Sequence, residues 1–298
     1  MRNRVVHADE EAAKVLMYNV KKYEKNEDVM ARAKKIVDEN KAKYDNVEHY
    51  KKMFSLIDYT TLDVADTVKK VESMVEFVNT FSTKHPGLPC VAAICVYPNF
   101  ASVVRAKLTV PGVSIACVSG AFPASQTYLD VKLLETRHAL EGGADEIDIV
   151  LPVGKFFEGK HQEVFDEITE LKKLCGEKHL KVILEVDSLK DCNAIYNASM
   201  LAMDAGADFI KTSTGKVDRD AASFEGRMLV MCDAIKEYNV KKNTKIAIKP
   251  AGGIRTAEQA LRTYTLISEA LGHEYQSNKL FRIGASGLAD ALLAKIQI

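Results

Sequence analysis

The stretch EIDIVLPVGKFFEGKHQEVFDEITELKKLCGEKHLKVILEV, residues 146–186, carries a strong signal for the fold class. It begins with the short apolar run Glu146 to Leu151, continues through a helix-like segment from His161 to Cys175, and ends in a second apolar run, Lys181 to Val186. Apolar strands that alternate with amphipathic helices are typical of a parallel sheet covered on both faces. The stretch therefore predicts one strand–helix–strand unit of an α/β protein.

The same unit recurs on both sides of this stretch. The eight predicted strands are Ser55 to Asp58, Val91 to Val96, Ser114 to Val118, Glu146 to Leu151, Lys181 to Val186, Asp208 to Thr212, Lys245 to Lys249 and Leu280 to Gly284. Eight such units close a (β/α)8 barrel, the TIM barrel, and about 250 residues is its usual size. A doubly wound open sheet is the alternative, but no GxGxxG follows an early strand. We predict the barrel.

The first fifty or so residues differ from the rest in being rich in charge and free of Gly and Pro. Leu16, Val20 and Tyr23 stand at i, i+4 and i+7, the spacing of one helix face. We predict a helical extension over residues 1–53 and a barrel domain over residues 54–298. The extension either packs on the barrel or forms a subunit interface, so a homo-oligomer is compatible with the sequence.

Composition narrows the range of partners. Lys plus Arg and Asp plus Glu both number 41, and this zero net charge gives no global field for nucleic acid or anionic lipid. No signal peptide or membrane-spanning run is recognisable, and the six cysteines form no CxxC pair. These features predict a cytoplasmic protein with reduced thiols, whose partners are small molecules rather than nucleic acid or membrane.

Two lysines mark the predicted active site. Active-site residues of such barrels lie at the carboxyl ends of the strands, and Lys211 and Lys249 end the sixth and seventh strands. Two like charges about 4 Å apart repel by roughly 4 kcal/mol at an effective dielectric near 20, or about three pKa units. One of the two amines would then be uncharged near neutral pH and able to attack a carbonyl. A salt-bridged lysine at each strand end is the alternative.

Asp148, between Ile147 and Ile149 in the fourth strand, supplies a buried carboxylate. It can pass protons through water during formation of a carbinolamine and an enamine. A structural ion pair with one of the lysines is the other interpretation, and the two roles are compatible.

Glycine-rich loops follow the last three strands. Their residues are Thr214, Gly215 and Lys216 after strand six, Gly252 and Gly253 after strand seven, and Gly284 and Ser286 in and after strand eight. Glycines let backbone N–H groups approach an anion, and the loops after strands seven and eight of such barrels commonly hold phosphate. The three loops together predict a phosphate site.

These residues resemble the deoxyribose-phosphate aldolase family. The signature-like segments are FIKTSTGK (209–216) and KPAGGIR (249–255), joined in the same order as in the family by DYTTL (58–62), AICVYP (93–98), ETR (135–137), GADEIDIV (143–150) and RIGAS (282–286). The resemblance covers roughly residues 55 to 290. It implies a class I aldolase without metal or cofactor that reversibly cleaves 2-deoxy-D-ribose 5-phosphate to D-glyceraldehyde 3-phosphate and acetaldehyde.

The resemblance also implies a role for each matching residue. Lys211 would form the Schiff base, Lys249 would lower its pKa, and Asp148 would relay protons. Residues at the sugar would be Asp58, Thr60, Cys95 and Thr214. Residues around the phosphate would be Gly215, Lys216, Gly252, Gly253, Gly284 and Ser286.

Three places depart from the family pattern. Gly287 stands where a second serine is often found, which predicts weaker phosphate binding. The sequence stops at Ile298 without the tyrosine-ended tail of some members, so no role in proton transfer is assigned to such a tail. Residues 185–187 (EVD) replace a hydroxyl-bearing stretch common after strand five.

Other functions are also considered against the sequence pattern. A metal-dependent aldolase would need histidines or carboxylates at ligand spacing, and the seven histidines show neither an HxH nor an HExxH pattern. Another phosphosugar aldolase or an isomerase on the same barrel is compatible with the fold, because fold does not fix chemistry. A phosphosugar-binding protein without turnover is a further alternative.

Overall fold

The computed structural model describes residues 18–297, and its centre is a single sheet of eight parallel strands. The strands are β1 (Ile57–Thr60), β2 (Ala93–Val96), β3 (Ser114–Val118), β4 (Glu146–Val150), β5 (His179–Ile183), β6 (Phe209–Lys211), β7 (Ala247–Lys249) and β8 (Ile283–Ala285). Neighbours pair in the order β7, β6, β5, β4, β3, β2, β1, β8. Parallel bridges from Ile248 to Phe281 and from Ala251 to Gly284 join the two ends. The predicted TIM barrel is confirmed.

Helices surround the barrel and connect its strands. They are α1 (Asn26–Tyr44), α2 (Val47–Ser55), α3 (Val68–Lys84), α4 (Ala101–Lys107), α5 (Leu129–Glu141), α6 (Val153–Phe157), α7 (His161–Cys175), α8 (Val186–Leu189), α9 (Cys192–Asp204), α10 (Phe224–Lys242), α11 (Ala257–Leu271) and α12 (Leu288–Ile296). The predicted bounds of α7 match the structure. Helix α11 starts where it does because Thr256 and Gln259 form a capping box.

The strands face two different interiors. Outward residues such as Ile147 and Ile149 join the large apolar core beneath the helices. Inward residues fill the barrel itself, and on β2 and β3 they form a separate apolar cluster of Ala93, Cys95, Ala116 and Val118. The inward side chains of the other strands are largely charged, so the barrel has an apolar wall and a charged wall.

Several predicted strand boundaries differ from the structure by one to three residues, and two of these differences lie where a strand meets a helix. Ser55, predicted to begin the first strand, ends helix α2, where its hydroxyl donates to the carbonyl of Lys52. The fifth strand ends at Ile183 rather than Val186, because Glu185 turns the chain with a φ of 56°. In both places an apolar run continues across the junction between a helix and a strand, so hydrophobicity alone could not locate the boundary.

The segment before the barrel packs on its outer helices. Helix α1 contacts α10 and α11, and the side chain of Met30 lies directly over Gly226, where a Cβ atom would collide with it. Before α1, the backbone of Val20 exchanges hydrogen bonds with the Asn197 side chain. Leu16 lies outside the described residues. The predicted helix face was wrong at Val20 and Tyr23, because residues 19–25 are not helical and α1 begins at Asn26. The division at residues 53 and 54 stays a prediction. Within residues 18–297, no helix has both the length and the apolar character needed to cross a bilayer.

Candidate active site

The two strand-end lysines meet at one carboxylate oxygen. Lys211 and Lys249 are register partners on β6 and β7. The Nζ atoms of Lys211 and Lys249 lie 2.8 Å and 2.7 Å from Oδ2 of Asp148, so the two nitrogens cannot be farther apart than these distances combined. The predicted convergence of two amines and an acid is therefore present.

This trio belongs to a larger buried cluster, which we call the barrel charge network. Its members are the carboxylates Asp58, Glu146 and Asp148 and the cations Lys181, Lys211, Lys249 and Arg282. Each is at most 5% exposed. With every group ionised, cations would exceed anions by one. Burying an uncompensated charge is costly, so the network favours a neutral form for one of its bases.

The local contacts single out Lys211 as that base. Burial lowers the pKa of the Lys211 amine; the Asp148 carboxylate opposes this shift, and the Lys249 ammonium reinforces it. Burial would also lower the pKa of Lys249, but the carboxylates of Asp148 and Asp58 outweigh it and raise that pKa. Lys181 is held in the same way by Asp148 and Glu146, and its pKa is raised. Lys211 shares its one carboxylate with two other lysines and is the weakest base of the three.

The main cause of the lowered pKa of Lys211 is not the one predicted from the sequence. Repulsion between the two ammonium groups was expected to dominate. In the structure, desolvation has the largest influence on the pKa of Lys211, and the Lys249 ammonium has a smaller one. Asp148 remains ionised, because Lys181, Lys211 and Lys249 hold its pKa well below the usual range against the effect of burial. Desolvation and the excess positive charge of the network thus both lower the pKa of the Lys211 amine.

Lys211 forms part of the wall of a cavity of about 360 Å³ at the carboxyl ends of the strands. The other predicted site residues that line it are Thr60, Thr214, Gly215, Lys216, Gly252, Gly253, Gly284 and Ser286. Asp58, Cys95, Asp148 and Lys249 are fully buried and do not line the cavity. The structure therefore places one lysine at the cavity and its partner lysine and acid behind it.

The glycine loops pack closely against one another on one side of this cavity. A Cβ atom on Gly215 would lie 3.6 Å from the Cα of Gly252, so the loops after β6 and β7 are in contact. Gly284 has a second role, because a Cβ atom there would lie 3.1 Å from Cε of Lys249. The absence of a side chain at Gly284 therefore gives the Lys249 side chain room to reach Asp148.

The comparisons with known proteins agree with this geometry. The family described as DeoC/LacD family aldolase matches residues 52–288. Mouse deoxyribose-phosphate aldolase is 40% identical over 256 residues, which cover 82% of this chain and 80% of the mouse protein. The chain belongs to the DeoC/LacD aldolase family.

Two further relatives extend the comparison. Human deoxyribose-phosphate aldolase is 39% identical over the same length. The tetrameric deoxyribose phosphate aldolase of Aeropyrum pernix superposes with a TM-score of 0.67 over 87% of this chain and 96% of that chain. At 24% identity, this last likeness supports the fold alone.

The sequence-based prediction missed three of the seven members of the barrel charge network. Glu146, Lys181 and Arg282 complete the barrel charge network but were not singled out. Arg282 donates to Asp58 at 2.7 Å and to Glu146 at 2.9 Å, which ties β8 to β1 and β4 across the barrel. A usable signal was present, since Glu146 is two residues before Asp148 and so lies on the same side of β4.

The segment that departs from the family pattern also has defined contacts. Glu185 accepts hydrogen bonds from both the backbone N–H and the hydroxyl of Thr214, and burial raises the pKa of its carboxyl. Asp187 accepts from Arg227 and from the backbone of Asp220. Residues 185–187 thereby fix the start of the loop that carries Gly215 and Lys216.

Side chains suited to metal binding are not grouped in the described part of the chain. Among residues 18–297, no three or more His, Cys, Asp or Glu side chains are arranged to hold a metal ion. All six cysteines are free, and Cys90 is the only one of them that is not buried. The polar groups that line the cavity include the amines, hydroxyls and backbone groups described above.

Proposed function

We propose that this chain is a class I aldolase that reversibly cleaves 2-deoxy-D-ribose 5-phosphate to D-glyceraldehyde 3-phosphate and acetaldehyde through a Schiff base on Lys211. The observation that carries the proposal is the position of Lys211, whose amine lies at the cavity and is the weakest base of a network with one cation in excess. An uncharged amine attacks a carbonyl, whereas an ammonium does not. Membership of an aldolase family indicates that this nucleophile serves in aldol cleavage.

The reaction begins at the aldehyde carbon, C1, of the open-chain sugar. The Lys211 amine adds to C1, and the resulting carbinolamine loses water to give an iminium ion. This cation withdraws electrons from the C2–C3 bond, which breaks as the C3 hydroxyl loses its proton. C3 becomes the aldehyde of glyceraldehyde 3-phosphate, and C2 becomes the carbon of an enamine. Protonation of C2 and addition of water release acetaldehyde and restore the amine.

Asp148 is suited to move the protons in these steps. Its carboxylate lies 2.8 Å from the Lys211 amine and stays ionised because three lysines surround it. It can accept a proton from the carbinolamine or, through water, from the C3 hydroxyl, and return it to C2. Lys249 keeps its charge and so favours the uncharged amine of Lys211 before the substrate is attacked.

The phosphate is assigned to the side of the cavity formed by the glycine loops. Gly215, Gly252 and Gly253 all have positive φ values, a backbone conformation that an L side chain would strain. Their loops offer N–H groups, and Lys216 and Ser286 add an ammonium and a hydroxyl in the same cavity. We propose that Thr60 and Thr214, which line the cavity, contact the sugar. Asp58 and Cys95 are buried behind this surface, so we propose that they shape the site indirectly.

Reductive trapping tests this function. Incubation with acetaldehyde and borohydride is expected to add one N-ethyl group at Lys211, because reduction fixes the Schiff base as a secondary amine. Peptide mass spectrometry locates the group, and Lys216 serves as the internal control because it lines the same cavity. An isomerase or a protein that only binds phosphosugars would not concentrate the label on Lys211, and labelling of Lys216 to the same extent would contradict the proposal.

The remaining partners follow from this function. We propose that the ligands are a phosphorylated sugar and small aldehydes, without nucleic acid or membrane, and that the protein acts in the cytoplasm. We also propose that residues 1–53 form a helical extension of a barrel domain spanning residues 54–298. The tetrameric Aeropyrum pernix relative makes a homo-oligomer a reasonable assembly to test.

A further inference from the structure

A further lysine, Lys70, lines the same cavity. Lys70 lies in the first turn of α3, and it lines the cavity together with Lys216 and Arg255. Asp63 is the one carboxylate among the lining residues of this cavity in the described part of the chain. Three cations stand against this acid and Asp66, the partner of Lys70, so the region is locally positive in a protein with no net charge.

A buried carboxylate holds Lys70 in this position. Asp66 lies four residues before Lys70, and its side chain is 2% exposed although Lys70 is half exposed. Asp66 accepts hydrogen bonds from the Thr61 hydroxyl, from the backbone N–H of Asp63 and, at 2.6 Å, from Nζ of Lys70. The lysine is therefore anchored by a rigid turn, unlike a surface lysine paired with a mobile acid.

The anchored ammonium keeps donors available. An ammonium has three N–H donors, and among the described residues Asp66 is the one hydrogen-bond partner of Nζ of Lys70. The other two donors can point to an oxyanion in the cavity. Because Lys70 is half exposed, each such contact is worth less than it would be in a buried site.

The loop after β1 also connects Lys70 with Lys216. Lys216 donates from Nζ to the carbonyl of Leu62, and Leu62 precedes the turn in which Asp66 anchors Lys70. Strand β1 pairs with β8, so this loop neighbours the one that carries Ser286. An anion bound at the glycine loops and Ser286 would therefore lie beside the loop that holds both ammonium groups.

We infer that Lys70 is a further binding residue for the phosphate of the substrate, acting together with Lys216. This inference rests on the proposed function. It assigns Lys70 to binding only, since the nucleophile and the acid belong to other strands. Its loss should consequently raise KM for a phosphorylated substrate and leave kcat nearly unchanged.

Steady-state kinetics with two substrates test the inference. For Lys70→Met we expect KM for 2-deoxy-D-ribose 5-phosphate to rise about three- to tenfold, with no change in KM for unphosphorylated 2-deoxy-D-ribose. Lys70→Arg should restore most of the affinity. Lys69→Met is the matched control, because Lys69 is its neighbour on α3 and does not line this cavity. An unchanged KM for the phosphorylated sugar, or an equal rise for both sugars, would overturn the assignment.

A binding measurement keeps this inference separate from the proposed function. If the unaltered protein cleaved neither sugar, the proposed function would fail, and calorimetric titration with inorganic phosphate would still test Lys70. Weaker phosphate binding by Lys70→Met than by Lys69→Met would support the inference. Equal phosphate binding by the two variants would contradict it.

Discussion

Replacing Lys211 with methionine is expected to reduce kcat for cleavage of 2-deoxy-D-ribose 5-phosphate on the order of a thousandfold or more. Lys249 cannot take its place, because it is fully buried behind the cavity and carboxylates raise its pKa. Methionine keeps most of the side-chain volume. The loss can be measured by coupling the release of glyceraldehyde 3-phosphate to a dehydrogenase.

The same variant should fold normally. Removing Lys211 leaves three cations and three carboxylates in the barrel charge network, and Asp148 keeps Lys181 and Lys249 as partners. Replacing a buried charge by an apolar side chain of similar volume is often neutral or stabilising when the remaining charges are balanced. We expect a Tm equal to or above that of the unaltered protein. Full residual turnover by a folded Lys211→Met variant would refute the assignment of the nucleophile.

Changing Lys249 to leucine is expected to lower activity at neutral pH by about a hundredfold and to move the pH optimum upward. The change has two effects. It removes the ammonium that disfavours protonation of Lys211, and it leaves Lys211 as the one remaining lysine partner of Oδ2 of Asp148. Both raise the pKa of Lys211, so a higher pH is needed to deprotonate it. Initial rates measured across the pH range would show this.

A control separates this electrostatic effect from loss of structure. Lys249→Arg keeps the positive charge at the same strand end, and its pH optimum should stay closer to that of the unaltered protein. If the pH profile of Lys249→Leu were unchanged in a folded protein, the charge of Lys249 would not govern the nucleophile.

The lysine pair could be predicted from the sequence because it depends on two simple rules. Strand ends place active-site groups at one face of a barrel, and consecutive strands joined by a helix are neighbours. Lys211 and Lys249 end consecutive predicted strands, so their proximity followed from chain order alone. The glycine loops after the last three strands followed from the same rules, and their residues do line one cavity.

The remainder of the barrel charge network could not be predicted because parallel strands conceal which side chains point inward. Both faces of β4 are buried, so Ile147 and Asp148 have no contrast in exposure that a hydrophobic pattern could reveal. Arg282 and Glu146 meet only because the sheet closes on itself and brings the inner faces of β8 and β4 together. Lys70 is still harder to foresee, since its position depends on a turn built around the buried Asp66.

Catalysis by this site requires the Lys211 amine to lose its proton more readily than an ordinary lysine. Competitive labelling with a trace of acetic anhydride measures this, because only the neutral amine reacts and peptide mass spectrometry reports Lys211 separately. Across a pH series, Lys211 in the unaltered protein should reach half-maximal labelling at a lower pH than a model lysine peptide in the same tube. In Lys249→Leu, Lys211 should reach half-maximal labelling at a higher pH than in the unaltered protein. Labelling of Lys211 that follows the model peptide, with the ordinary lysine pKa of about 10.4, would contradict the account.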